Sequence, residues 1–268
     1  MARDLALLLA EPGDAGAEAI GATLRQQGVP VLRTGMAELA GASWRHAVDA
    51  ATHTTLRLAD GRRLEDEQIG VVLNRLPGLP PPAFATSSAL DREYATAEFH
   101  ALLCSWLNSL PVAVANLPQH GQEYEPALHP LGWRCLAAAR GMAVGDFAVL
   151  SATRRGGGAG LQRLGGSRYP AGSNVAGWYW AGSEAPIHWC HVFGEQALGY
   201  DDDAAGLVLA AQSIGLVQAL GLYYAALCFR RGEAGWVLVE LLAQPPLDTP
   251  ASQRACAGWL AHELERQI

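Results

Sequence analysis

The stretch that most constrains the fold covers residues 221–246, GLYYAALCFRRGEAGWVLVELLAQPP. Two apolar runs flank a polar, glycine-bearing turn at 230–235, which predicts a buried hairpin that stops at Pro245 and Pro246. One carboxylate, Glu240, stands inside the second run. Burying a carboxylate without a cation, a donor or water costs several kcal/mol, so Glu240 must have a partner. That requirement makes it the most informative single residue in the chain.

The rest of the composition narrows what Glu240 can serve. With 268 residues, half of them apolar, the chain can bury a large core as one complex domain or two modest ones. A net charge of −7 with dispersed charges argues against a nucleic-acid surface. All 19 basic residues are arginine. Lysine Schiff bases, lysine nucleophiles and a Walker-type phosphate loop are therefore excluded. The five cysteines, Cys104, Cys135, Cys190, Cys228 and Cys256, are odd in number and widely spaced, which reads as reduced thiols rather than a disulfide framework or zinc site. The opening Met1-Ala2-Arg3-Asp4 and its short apolar run do not match a signal peptide, and no run approaches the length of a membrane span. A soluble, cytoplasmic, bacterial-type protein without a membrane or nucleic-acid partner is expected.

Along the chain, an apolar run at 5–10, a helix over 15–27 capped by Asp14 and a strand at 29–33 form a β-α-β opening and predict a parallel sheet. The first turn, Glu11-Pro12-Gly13-Asp14, is no dinucleotide fingerprint. Residues 52–58 and 62–64 read as a hairpin about Asp60-Gly61, and 69–73 as a buried strand delivering Asn74 and Arg75 to its carboxyl end. Ligands gather at such ends in open α/β sheets, which makes Arg75 either an anion-binding residue or a cap of the sheet. Residues 88–110 predict a helix capped by Ser87 or Ser88, with an apolar stripe of Leu90, Tyr94, Ala97, Ala101 and Leu102 continued by Cys104, Trp106 and Leu107. Strands are expected at 112–116, 147–153, 175–180 and 187–193, and helices at 130–140, at 204–220 behind Asp201–Asp203, and at 249–268. The helix at 204–220 is so apolar that it must be covered by the sheet or by a partner.

Two further segments carry candidate chemistry. Arg154-Arg155-Gly156-Gly157-Gly158 follows the strand at 147–153, with Arg163 and Arg168 beyond it. Glycines let backbone N–H groups approach an anion and arginines add charge, so the segment is either a phosphate-covering loop or a flexible surface loop. In His188-Trp189-Cys190-His191, strand alternation puts His188 and Cys190 on one face and His191 on the other, which disfavours a metal site. Trp178, Tyr179, Trp180 and Trp189 read as sheet core or as the wall of a site for a planar ligand.

The strand, turn, Glu240-bearing strand and proline exit resemble the metal-binding end of the ATP-grasp superfamily, the carboxylate–amine ligases. Leu73-Asn74-Arg75, the Asp91-Arg92-Glu93-Tyr94 helix with Glu98, and Val112-Ala113-Val114-Ala115-Asn116 are similar to the N-terminal portion of the same proteins, so the resemblance covers most of the chain. It implies an α/β, ATP-grasp-like fold: an N-terminal parallel α/β (pre-ATP-grasp) domain over 1–117, then a reduced two-lobed ATP-grasp α+β region over 118–268 with a shortened central lobe. It further implies ATP and Mg²⁺ as cofactors, Glu240 as a catalytic metal ligand, and Arg75 on an acceptor carboxylate. Arg154, Arg155, Gly156, Gly157, Gly158, Arg163 and Arg168 would lie on the nucleotide phosphates. The sequence departs from the pattern at two metal positions. Cys228 stands at the first acid and Leu242 at the asparagine, and magnesium takes neither a thiol nor an isobutyl group.

The resemblance thus implies either an ATP-dependent carboxylate–amine (C–N) ligase acting on a small-molecule or peptide carboxylate, or a catalytically degenerate scaffold. The scaffold would be a pseudoenzyme binding a partner protein in a biosynthetic step, and either can form a homo-oligomer. A metal hydrolase built on His188 and His191 is a third reading, and would need both side chains on one face.

Overall fold

The computed structural model describes residues 3–48, 52–76, 85–115, 117, 130–145, 147–150, 161–163, 177–181, 186–232 and 235–267, the backbone alone for 130, 147–150, 161–163 and 177–181. The chain forms two compact units, one of residues 1–127 with 246–268 and the other of residues 128–245. In chain order the first unit contains β1 (Leu5–Leu9), α1 (Ala15–Gln26), β2 (Val31–Thr34), α2 (Met36–Ala40), β3 (Ser43–Ala47), β4 (His53–Arg57), β5 (Arg63–Glu65), β6 (Ile69–Asn74), α3 (Ala89–Ser109) and β7 (Ala113–Ala115). The second contains α4 (Pro130–Ala139), β8 (Phe147–Leu150), β9 (Leu161–Arg163), β10 (Gly177–Ala181), β11 (Ile187–Phe193), β12 (Gln196–Leu198), α5 (Ala204–Ala219), β13 (Tyr224–Gly232) and β14 (Gly235–Leu242). The last helix, α6 (Pro250–Glu265), returns to the first unit.

The first unit is built on a parallel sheet in the order β2-β1-β6-β7. Asp14 caps α1 by accepting from the Ala17 amide at 2.9 Å, and Gly28 ends that stretch at φ +81°. Alternation along β1 and β6 sends Leu7, Leu9 and Val72 into a core with Phe99, Leu103, Trp106 and Leu107 of α3. On the other face α6 packs on α1, β1 and β6, so the C-terminal helix, assigned from sequence to the 118–268 region, completes the sandwich of the first unit. Gly70 of β6 has to be glycine, because a Cβ there would collide with the Arg3 carbonyl and the Leu264 side chain.

Two sequence expectations change here. The hairpin at 52–64 has a third strand, β3, paired with β4, which polar Ser43, Arg45 and His46 hid from an apolar-pattern reading. The buried face of α3 is Phe99, Leu103, Cys104, Trp106 and Leu107, whereas Leu90 and Tyr94 are 76% and 67% exposed. Among the described residues the apolar side chains of the first turns have no core to pack on.

In the second unit an antiparallel sheet, β12-β11-β13-β14, buries Cys190, Val192, Leu227, Phe229, Leu238 and Leu241 against Leu216 and Val217 of α5 and Trp133 and Ala137 of α4. A second antiparallel sheet has the order β8-β10-β9. Asp203 caps α5 through the Gly206 amide at 2.7 Å, and Gly221 turns the chain into β13 at φ +69°. The hairpin predicted at 221–246 is present and longer than expected. Pairing continues through Arg231 with Trp236 to Gly232 with Gly235, so much of the expected turn is strand. Among the described residues no helix is long and apolar enough to cross a membrane.

Candidate functional site

The β13–β14 ladder sets Cys228 opposite Glu240 and Ala226 opposite Leu242. Pairing slips by one residue between Cys228 and Phe229, so that Phe229 faces Leu238 and Val239 is the extra residue. A bulge reverses the side-chain phase of everything beyond it. Leu238 and Leu241 consequently enter the same core, and Glu240 is left on the opposite face with Cys228 and Leu242. Without the bulge Glu240 would point into the core beside Leu238. The apolar pattern VLVELL carries the signal, since no strict alternation places both Leu238 and Leu241 inside.

The same register puts Trp189 opposite Cys228, His191 opposite Ala226 and Ile187 opposite Arg230. Glu240 therefore shares its sheet face with Trp189, His191, Cys228 and Arg230. Glu240 is half-buried and Arg230 is buried. Arg134 of α4 approaches from the side, donating from Nη2 to the Val239 carbonyl at 2.7 Å, with its guanidinium carbon 4.1 Å above the Trp133 ring. Its burial pulls the Arg134 pKa down to about 10, an effect partly offset by the negative charge of Glu240. The guanidinium stays protonated at neutral pH and supplies the cation that a carboxylate in this position requires. Burial, with a further contribution from Glu240, pushes the Cys228 thiol up to about 12. Cys228 is thus a neutral side chain, and the nearby Arg230 only moderates that shift. Sequence reasoning missed Arg134 and Arg230. Arg230 was visible as a charge beside the turn, but Arg134 reaches Val239 from more than a hundred residues away.

These residues do not fit magnesium. A hard divalent cation needs several oxygen ligands, and among the described residues this face offers one carboxylate, a protonated thiol and a leucine beside two arginines. No group of three or more His, Cys, Asp or Glu side chains able to hold a metal is present among the described residues. His188 and Cys190 both contact the Gly199 carbonyl while His191 stacks on Phe193 at 6.0 Å, as strand alternation requires. The histidine metal site therefore does not form.

Arg75 lies in the first unit, at the carboxyl ends of β1 and β6. Its Nε donates to Asp14 Oδ2 at 2.7 Å and its amide to the Leu9 carbonyl at 2.7 Å. Asp14 thus serves as helix cap and as counter-ion at once. Arg154, Arg155, Gly156, Gly157, Gly158 and Arg168 lie outside the described residues, and Arg163 is described only as backbone on β9, in register with Tyr179. A cavity of about 560 Å³ opens at the other end of the first sheet, beside Asp4, Val31, Arg62 and Arg63. Its arginines are already committed, Arg62 to Asp60 and Arg63 to Glu65.

No protein-family model matches the sequence, and no curated protein matches it either. Solved structures do. The macrocyclase MdnC of Microcystis aeruginosa, bound with precursor peptide MdnA, superposes with a TM-score of 0.70 at 14% identity, over 96% of this chain and 99% of that one. A RiPP-associated ATP-grasp ligase of Chryseobacterium gregarium, in complex with ADP and a leader and core peptide, gives 0.68 at 12% identity over 99% and 97%. A RimK domain ATP-grasp protein of Sphaerobacter thermophilus gives 0.57 at 15% identity over 97% and 99%. The chain has the ATP-grasp fold. At these identities the likeness is one of fold, and the chemistry has to be argued from the side chains.

Proposed function

We propose that the chain is a peptide-binding scaffold with the ATP-grasp fold that takes part in precursor-peptide maturation without itself carrying out magnesium-dependent phosphoryl transfer. The observation that carries this reading is the Glu240 face. Phosphoryl transfer is catalysed chiefly by positioning and by neutralising phosphate charge with metal ions and cations. Where three oxygen ligands would hold that metal, the face has Glu240, a neutral Cys228 and Leu242, and the charge next to Glu240 is Arg134. A peptide as the bound partner is supported by the precursor, leader and core peptides in the two similar ligase structures.

A ligase is the second reading. It is favoured by the half-buried Glu240 and by the near-complete coverage of a macrocyclase, and it would use ATP and Mg²⁺ with a peptide carboxylate. Titration calorimetry with ATP, with and without magnesium, on the intact chain and on Glu240→Gln separates the two. The scaffold reading expects no magnesium-dependent gain in ATP affinity and no ATP turnover. Magnesium-dependent binding that Glu240→Gln abolishes would replace it with the ligase.

A further inference from the structure

The cavity in the first unit runs along two strand edges at once. Its wall includes Val31 and Leu32 of β2, and Arg63 and Leu64 of β5. Successive side chains of a strand point to opposite faces. Leu32 packs on the core, whereas Val31 lies on the side of α1, within reach of a Cβ placed on Gly21. Leu64 is buried in the same core and Arg63 is exposed. A hollow that touches both faces of a strand follows that strand's edge. Among the described residues β2 pairs with β1 alone and β5 with β4 alone, so each has a free edge.

Backbone phase determines what those edges offer. The Ala6 amide donates to the Pro30 carbonyl at 2.9 Å and the Ala10 amide to the Thr34 carbonyl at 3.0 Å. Backbone groups alternate in direction along a strand, so Pro30, Leu32 and Thr34 serve β1 while the N–H and C=O of Val31 point away from it. In the other sheet the Leu58 amide donates to the Arg62 carbonyl at 2.9 Å, which turns the backbone groups of Arg63 and Glu65 outward. The Glu65 amide agrees with that phase, since it donates to Gln68 Oε1 at 3.0 Å. Val31 and Arg63, both in the cavity wall, therefore each present one outward donor and one outward acceptor.

The rest of the lining selects the class of ligand. Pro30, Leu5, Leu32 and Leu64 supply apolar surface, and about 560 Å³ is within the range of ligand pockets. Arg62 is neutralised by Asp60 and Arg63 by Glu65, and Asp4 adds a negative charge, so a phosphate group finds no cation in excess. What fits is a neutral ligand with apolar groups and a row of alternating amide donors and acceptors. An extended peptide has that chemistry, and a free strand edge is where it adds.

We propose that this cavity takes an extended, uncharged peptide segment with apolar side chains at alternate positions, added as a strand beside β2 and β5. The peptide as occupant rests on the scaffold reading above, whereas its place rests on the two edges and uses no residue of the Glu240 face.

Amide hydrogen exchange of the full chain, followed by NMR, tests it with an acetylated and amidated peptide of alternating threonine and leucine as probe. At saturating peptide the Val31 and Arg63 amides should slow about tenfold or more, and those of Leu32 and Leu64, already paired within their sheets, should change little. Val31→Pro removes an outward N–H and no ladder bond, and should weaken binding about tenfold. Methylating alternate amide nitrogens of the peptide should weaken it at least as much. No binding at about 1 mM peptide overturns the proposal, and so does a methylated peptide that binds equally well. Binding that protects other amides but neither Val31 nor Arg63 overturns the site and leaves the scaffold reading standing. Magnesium-dependent ATP turnover removes the scaffold reading, and protection of Val31 and Arg63 would still support the site.

Discussion

Each unit sets an arginine against a carboxylate, and the two arrangements are made differently. In the first unit Asp14 accepts from the Ala17 amide and from Arg75 Nε, so one carboxylate closes both a helix start and a strand end. In the second, Arg134 spends its described hydrogen bond on the Val239 carbonyl, sits deep enough for its pKa to fall to about 10, and reaches Glu240 by charge. Asp14 holds the chain together, whereas Glu240 is held on a sheet face by neighbours that limit what it can bind. The lesson is that a carboxylate's chemistry is set by the charge beside it. A glutamate with an arginine and a neutral thiol beside it is a poorer magnesium ligand than one set among other carboxylates.

Alkaline titration gives the largest contrast between the units. Burial pushes Cys190 and Cys228 of the second unit and Cys256 of the first up to about 12. Their folded pKa values are raised, so the native state keeps protons that the unfolded chain releases above about pH 8.5, and stability present below that pH is lost as it rises. Each such thiol costs about 1.4 kcal/mol per pH unit. Burial raises the Cys104 thiol of the first unit as well, so the second unit, with two of the three thiols pushed up to about 12, should lose stability more steeply than the first between pH 9 and 10. Hydrogen exchange at pH 8.5, 9.5 and 10.5, resolved by unit, checks the order. Equal slopes would mean that the thiols of the second unit reach solvent.

Replacing each arginine by methionine breaks or sharpens the comparison next. Arg75→Met strands Asp14 at a site where both side chains are mostly buried, and should cost about 2 kcal/mol in urea unfolding. Arg134→Met removes a desolvated guanidinium from an apolar surround and should cost about 1 kcal/mol or less, because the relieved desolvation offsets the lost attraction. The double variant with Glu240→Gln should show a coupling of about 1 kcal/mol, as expected of neighbouring charges. A loss at Arg134 as large as that at Arg75 would make both pairs structural and remove the distinction.

Legibility in the sequence follows the same division. Asp14, Ser88 and Asp203 were readable as helix caps and cap the helices of the structure, because capping is settled within three residues. The parallel opening and the hairpin were readable from apolar runs and turn residues. The approach of Arg134 and the return of α6 to the first sheet were not, since each depends on contacts between segments far apart in the chain. Cys228 and Leu242 were legible by identity alone. That Cys228 is neutral, and that Arg134 stands beside Glu240, needed coordinates.

The smallest effect tests a correction. An apolar stripe read along α3 from Leu90 to Leu107 treats all its turns as equally buried, but only the part from Phe99 onward meets the sheet. Leu90→Ser and Tyr94→Ser remove side chains that water already surrounds, so each should change stability by no more than about 0.5 kcal/mol. Urea unfolding of the full chain measures this directly. A loss of about 2 kcal/mol or more at either position, the size expected for a buried apolar side chain, would mean that the start of α3 is covered after all.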